Sequence, residues 1–205
     1  MSLASAYEKL RAVDPAVLPE PLRQLFVAQP TFKLTIKPDF GVSDWSMLPA
    51  DAPYNLFPKL AIKSWRDGGS VRPIVRGMPM KPVLQGLLRS ITPQQRAISK
   101  AWRAEGLPLP LYLYPFVDFT DLTEVRWLTG PAGIQFVSAC QRGQSAKRLG
   151  ASLEDMQALA GQVAALLPKR SHVVEMCLSP SGQMRLVEIN PALEPREVDA
   201  VISAQ

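Results

Sequence analysis

Histidine, cysteine and long apolar runs are what this 205-residue sequence has least of. Its one histidine, His172, excludes a metal site built on clustered imidazoles and leaves a serine–histidine–aspartate triad improbable. Its place at the edge of a hairpin pattern assigns it a structural part. The two cysteines, Cys140 and Cys177, are too few for a disulfide framework. They sit far apart in apolar surroundings and read as buried free thiols, as in a reducing compartment. No apolar run approaches membrane-spanning length, and no basic segment leads into an apolar core at the start. The expectation is a cytoplasmic protein with no membrane partner. There is no long block of one charge sign and no basic run interleaved with aromatics, which argues against nucleic acid as the partner. Internal repeats and low-complexity tracts are also missing.

What remains is a folded composition, 47% apolar and 20% charged. The length fits one ordinary domain or two small lobes. The net charge of +5 favours an anionic partner such as a nucleotide, although so modest an excess is also that of a solvated surface.

Along the chain, Leu3, Tyr7 and Leu10 have helical spacing over residues 2–13, ended by Asp14-Pro15. A short helix follows from about Glu20. Thr31–Lys37 alternates Phe32, Leu34 and Ile36 with polar residues, as a half-buried strand does. Asn55–Ser64 reads as a strand whose Pro58 suggests an edge or a bulge. A glycine-bearing loop over 64–69 precedes a candidate returning strand at Val71–Arg76. Pro82 opens a helix with Leu84, Leu87 and Leu88, and Thr92-Pro93-Gln94-Gln95 is a capping box for another. Leu109–Phe119, Thr123–Thr129 and Gly133–Gln141 read as strands, with Glu124 and Arg126 on one face and Val125 and Trp127 on the other. Ser152–Leu167 is the clearest helix. Strands and helices come in mixed order without regular alternation, so the expected fold class is α+β rather than a doubly wound sheet.

The most informative stretch is His172–Pro191. Two short apolar runs flank Pro180-Ser181-Gly182, which is a hairpin signal. A two-residue turn at Ser181-Gly182 places Glu175 opposite Glu188 and Val173 opposite Asn190. Glu175, Glu188 and Asn190 then share one face, while Val174, Met176, Leu178, Val187 and Ile189 form the other. Opposed carboxylates destabilise a sheet unless a cation lies between them or one pKa rises. Val173, Cys177 and Leu186 on the glutamate face argue against full solvation. The alternative is a solvated face on which the glutamates point apart, and an odd-length loop with a bulge would shift the register by one.

Three blocks in this order resemble one family. They are Asn55-Leu-Phe-Pro-Lys-Leu followed by Ser64-Trp-Arg-Asp67; Leu111-Tyr-Leu-Tyr-Pro-Phe-Val with Glu124-Val-Arg126 and Gln141-Arg142; and Val173-Val-Glu-Met with Leu186-Val-Glu-Ile-Asn-Pro191. Over roughly residues 55–191 they look like the cell-division-cycle protein 123 family of the ATP-grasp superfamily. The resemblance implies an ATP-grasp-like fold, two α+β lobes with antiparallel sheets enclosing a nucleotide, expected here as residues 1–108 and 109–205. It implies ATP and Mg²⁺ as cofactors, with Glu175, Glu188 and Asn190 as metal ligands. Lys59 would pair with phosphate, with Lys37 and Lys63 as competitors for that role. Tyr112 and Leu113 would line the adenine hinge, mainly through backbone groups, and Glu124 and Asp67 complete the nucleotide-contacting set. Arg126 and Arg142 would be catalytic, reaching the γ-phosphate or an acyl-phosphate. From the residues alone, Arg126 could equally be a structural partner of Glu124, and Asp67 the cap of its turn.

Three positions depart from the family pattern. Glu175 stands where the family usually has Asp, Tyr114 where it has Arg, and Gly143 where it has Asp. Two functions follow from the resemblance. One is an ATP-dependent carboxylate–amine ligase acting on a protein or peptide. The other is an ATP-binding assembly chaperone for a translation component, with little turnover.

Overall fold

The computed structural model describes residues 13–37, 42, 44–60, 63–64, 73–89, 104, 106, 109–141, 144–145, 152–167 and 171–192. These fall into two compact units. One carries the described residues from 28 to 116, the other those from 13 to 27 and from 117 to 192. Each holds one antiparallel sheet, so the chain is α+β as expected.

The first unit contains β1 (Phe32–Ile36), β2 (Leu56–Leu60), β3 (Lys63–Ser64) and β4 (Leu109–Pro115), in the spatial order β1-β4-β2-β3. Alternation in β4 sends Leu109, Leu111 and Leu113 into a core with Leu34, Ile36, Leu56 and Leu60. Helix α2 (Met80–Arg89) adds Met80, Leu84 and Leu88, four residues apart and hence on one face. Pro82 lies in its first turn, where no intrahelical N–H bond is lost. Pro58 faces Leu113 across β2 and β4, and the Leu113 carbonyl accepts instead from the Thr31 N–H on the β1 side. The missing N–H of Pro58 therefore points away from β4 and interrupts no bond of that ladder.

The single strand expected over Asn55–Ser64 is two strands, because β3 runs back against β2 with Lys59 opposite Ser64. The returning strand expected near Ile74 is a bridge of two backbone bonds between Ile74 and Leu56, both 2.8 Å. Residues 109–116 belong to the first unit. β4 is an inner strand of the first sheet, because its leucine row completes that core.

The second unit contains β5 (Thr123–Gly130), β6 (Gly133–Gln141), β7 (Gln144–Ser145), β8 (His172–Leu178) and β9 (Met184–Pro191), in the order β7-β6-β5-β8-β9. One face buries Val125, Trp127, Val174, Met176, Leu186 and Ile189 against Met156, Ala160 and Val163 of helix α3 (Ser152–Ala165). Glu154 and Asp155 in the first turn of α3 complement the helix dipole. Helix α1 (Glu20–Arg23) and its flanks add Leu18, Leu22 and Phe26 to the same core. This segment is stitched to β9 by backbone bonds from Val13 to Ile189, Val27 to Leu186 and Leu186 to Leu25. The helices expected over residues 2–13 and from Thr92 lie outside the described residues. No helix among the described residues is long and apolar enough to cross a membrane.

Candidate metal centre

The hairpin of β8 and β9 builds the site by a route the sequence does not show. Leu178 pairs with Met184, so the loop Ser179–Gln183 has five residues rather than two. Its tight turn is closed by the Gly182 N–H donating to the Ser179 carbonyl at 2.9 Å, and Gly182 has φ +83°, a conformation open to glycine. The Ser179 hydroxyl accepts from the Gln183 N–H at 3.0 Å. An odd loop displaces the register by one residue from that of a two-residue turn. A bulge restores it, since Met176 pairs with Leu186 but Glu175 pairs with Glu188, leaving Val187 as the additional residue.

The bulge also corrects the expected faces. Leu186 is fully buried in the core and Val187 only partly buried, the reverse of simple alternation from Glu188. The physical reason is that Leu186 and Ile189 both face the core though they are three residues apart. A regular strand cannot place such a pair on one face, and one inserted residue can.

Pairing across four strands aligns Ser138 of β6, Arg126 of β5, Glu175 of β8 and Glu188 of β9 in one transverse row. A second bulge, at Val137 of β6, flanks the row on the side opposite to Val187. Arg126 Nε lies 3.5 Å from Glu175 Oε1, and their side chains are 44% and 19% exposed. Asn190 Nδ2 donates to the same oxygen at 3.3 Å, reaching diagonally from its place opposite Val173. The three expected ligands are thus neighbours on one face, with Glu175 touched by both an arginine and an amide. Arg126 pairs with Glu175 across the strands.

Among the described residues, no three acidic, histidine or cysteine side chains lie together in a metal-holding group. The candidate donor set is accordingly two carboxylates and an amide oxygen. Such a set is all hard oxygen and leaves most of an octahedron to water or phosphate, which fits the coordination habits of Mg²⁺.

The next row along the same face holds Glu124, Cys177 and Arg185. Cys177 is buried and free, as expected. Burial pushes its thiol up to about 11, the carboxylate of Glu124 adds to the rise, and Arg185 opposes it. Arg185 itself is tied by an Nη1 bond of 3.1 Å to the Gln24 carbonyl. His172 is 1% exposed at the far end of β8, where its carbonyl accepts from Thr129 Oγ1 at 3.3 Å. Its place is structural.

In the first unit, Lys59 lies opposite Tyr112, and Lys33 lies opposite Tyr112 from the other side. Lys33 Nζ is 5.4 Å from the centre of the Tyr112 ring, within cation–π range. Lys33 did not emerge from the sequence because its proximity to Lys59 depends on β4 lying between β1 and β2. Leu113 is fully buried in the core, and its carbonyl accepts from the Thr31 N–H at 2.8 Å. With β4 paired on both sides, the backbone of Tyr112 and Leu113 is engaged within the sheet. On this strand the Tyr112 side chain, not Leu113, accompanies the lysines. Asp67 and Arg142 lie outside the described residues.

No family model matches this sequence, and no curated protein matches it. Among solved structures, Cdc123 from Schizosaccharomyces pombe is similar at 18% identity with a TM-score of 0.48, over 69% of this chain and 61% of that one. L-amino acid ligase from Bacillus licheniformis is similar at 14% identity with a TM-score of 0.47, over 94% of this chain and 45% of that one. N5-carboxyaminoimidazole ribonucleotide synthetase from Thermotoga maritima is similar at 17% identity with a TM-score of 0.38, over 70% of this chain and 33% of that one. The match to each spans under two thirds of the neighbour's length.

Proposed function

We propose that this chain binds ATP with Mg²⁺ at the polar face of its five-stranded sheet and acts as a carboxylate–amine ligase on a protein or peptide. The observation that carries the reading is the placement of Glu175 directly opposite Glu188, with Asn190 within bonding distance of Glu175. Two opposed carboxylates on adjacent strands are unfavourable by themselves, and a divalent cation reverses that. The sequence blocks that resemble the cell-division-cycle protein 123 family imply the same three residues.

In this proposal Glu175, Glu188 and Asn190 hold the metal, which when bound neutralises charge on the transferred phosphoryl group. Arg126 lies beside the ligands and offers a guanidinium to phosphate oxygens, and Arg142 is proposed for the same task. Within the first unit, Lys59, opposite Tyr112, is proposed as a point charge for phosphate. The substrate carboxylate attacks the γ-phosphorus and ADP leaves. An amine then attacks the acyl-phosphate, and inorganic phosphate departs with formation of the amide. No protein nucleophile is needed, which agrees with a chain that has a single, structural histidine.

Thermal unfolding with ATP, with and without Mg²⁺, tests the binding step, because a ligand bound to the folded state raises the midpoint by mass action. The midpoint rises with millimolar Mg-ATP, and Glu188→Gln abolishes the metal-dependent part. No shift in the unaltered chain overturns nucleotide binding, and a full shift in the variant misplaces the metal. Release of ADP and phosphate with carboxylate and amine substrates supports the ligase. Binding without release favours the assembly-chaperone alternative.

A further inference from the structure

The row Arg126–Glu175–Glu188 sets one guanidinium beside two carboxylates. At that row Arg126 competes with a cation for Glu175 and attracts an anion. Its contact with Glu175, Nε to Oε1 at 3.5 Å, is longer than a well-made hydrogen bond and is solvent-exposed on the arginine side. Asn190 shares the same oxygen at 3.3 Å, so the carboxylate keeps a partner when the guanidinium leaves.

We propose that Arg126 is a displaceable counter-ion, which occupies Glu175 when no metal is bound and swings to the anionic ligand once a divalent ion takes its place. The inference rests on the metal–nucleotide reading above and deepens it by making metal and anion binding one coupled event. Coupling of this kind is reciprocal, so the anion tightens the metal by the factor with which the metal tightens the anion. Replacing Arg126 then has effects of opposite sign. The metal alone binds more tightly, because its competitor for Glu175 is gone, while the metal-dependent binding of nucleotide weakens.

The test uses the whole chain and Mn²⁺ as a spectroscopic probe, counting free ion by electron paramagnetic resonance without nucleotide. Arg126→Gln is compared with the unaltered chain and with Arg185→Gln, which makes the same charge change one row away on the same face. Arg126→Gln tightens Mn²⁺ about two- to fivefold, the range carried by an exposed ion pair. It also lowers the Mg-ATP shift in unfolding temperature. Arg185→Gln leaves Mn²⁺ affinity as it was. Unchanged or weaker Mn²⁺ binding in Arg126→Gln overturns the inference, as does an equal gain in Arg185→Gln, which would be a general charge effect. If the unaltered chain binds Mn²⁺ and Arg126→Gln binds it no tighter, the inference alone fails. If neither binds it, the metal reading fails with it.

Discussion

Glu175 and Glu188 stand opposite each other because two departures from a regular hairpin cancel. The five-residue loop moves β9 by one position, and the bulge at Val187 moves it back before Glu188 is reached. The pairing is set by which residues the core accepts, Leu186 and Ile189, and the bulge absorbs the difference.

Deleting Val187 therefore leaves the two glutamates paired. With the extra residue gone, a regular ladder from Leu178–Met184 brings Glu188 directly after Leu186, still opposite Glu175. Cross-strand nuclear Overhauser contacts between residues 175 and 188 persist in the deletion variant, and so does any Mg-ATP shift in unfolding temperature. Loss of those contacts would show that the bulge fixes the register rather than absorbing it.

Cys177 resists thiol reagents in the folded state at pH 8, since burial pushes its thiol up to about 11 from an ordinary 9.0. The folded state holds this proton more tightly than the unfolded one does. The stabilisation is complete below pH 9 and is lost as pH rises from 9 through 11, on the order of 3 kcal/mol in all. Denaturant unfolding across that window shows the alkaline decline in the unaltered chain and a flatter profile in Cys177→Ala. Equal slopes would contradict the burial argument.

Gly130 closes β5 with its backbone against Ser171. A Cβ added there would meet Ser171 Oγ at 2.5 Å and the Ser171 Cα at 3.3 Å. Gly130→Ala destabilises the second unit by roughly 1–3 kcal/mol, the range of an overpacked site. Adding Ser171→Ala recovers part of the loss, because the hydroxyl is the nearer obstacle and the backbone remains. A strictly additive double variant, in denaturant titration, would mean the two residues do not press on each other.

Trp127 is 2% exposed, meets Phe136 edge-on at 5.6 Å, and buries its Nε1 with no hydrogen-bond partner. A buried donor left unpaired is unfavourable by about 1–3 kcal/mol. Trp127→Phe removes that donor together with some packing, so its net cost stays below about 2 kcal/mol, less than ordinary truncation of a buried aromatic. A larger loss on chemical unfolding would indicate that the ring volume dominates.

The sequence by itself determined the period of each strand and therefore what each could bury. Val125 and Trp127 face the core of the second unit, and Leu34 and Ile36 that of the first, as their alternation requires. It also brought Glu175, Glu188 and Asn190 to one face, through a hairpin pattern and a motif, and the structure places them as neighbours. These signals are local, arising from side chains two to fifteen residues apart. Which strand lies beside which is decided over longer distances, by burial and by loop closure. Only the tertiary structure could therefore set Arg126 against Glu175, Lys33 beside Tyr112, and β4 inside the first sheet. The exchange of Leu186 for Val187 has the same cause. Alternation fixes a face only while the ladder is regular, and a bulge forms where two core residues demand the same face across an odd interval.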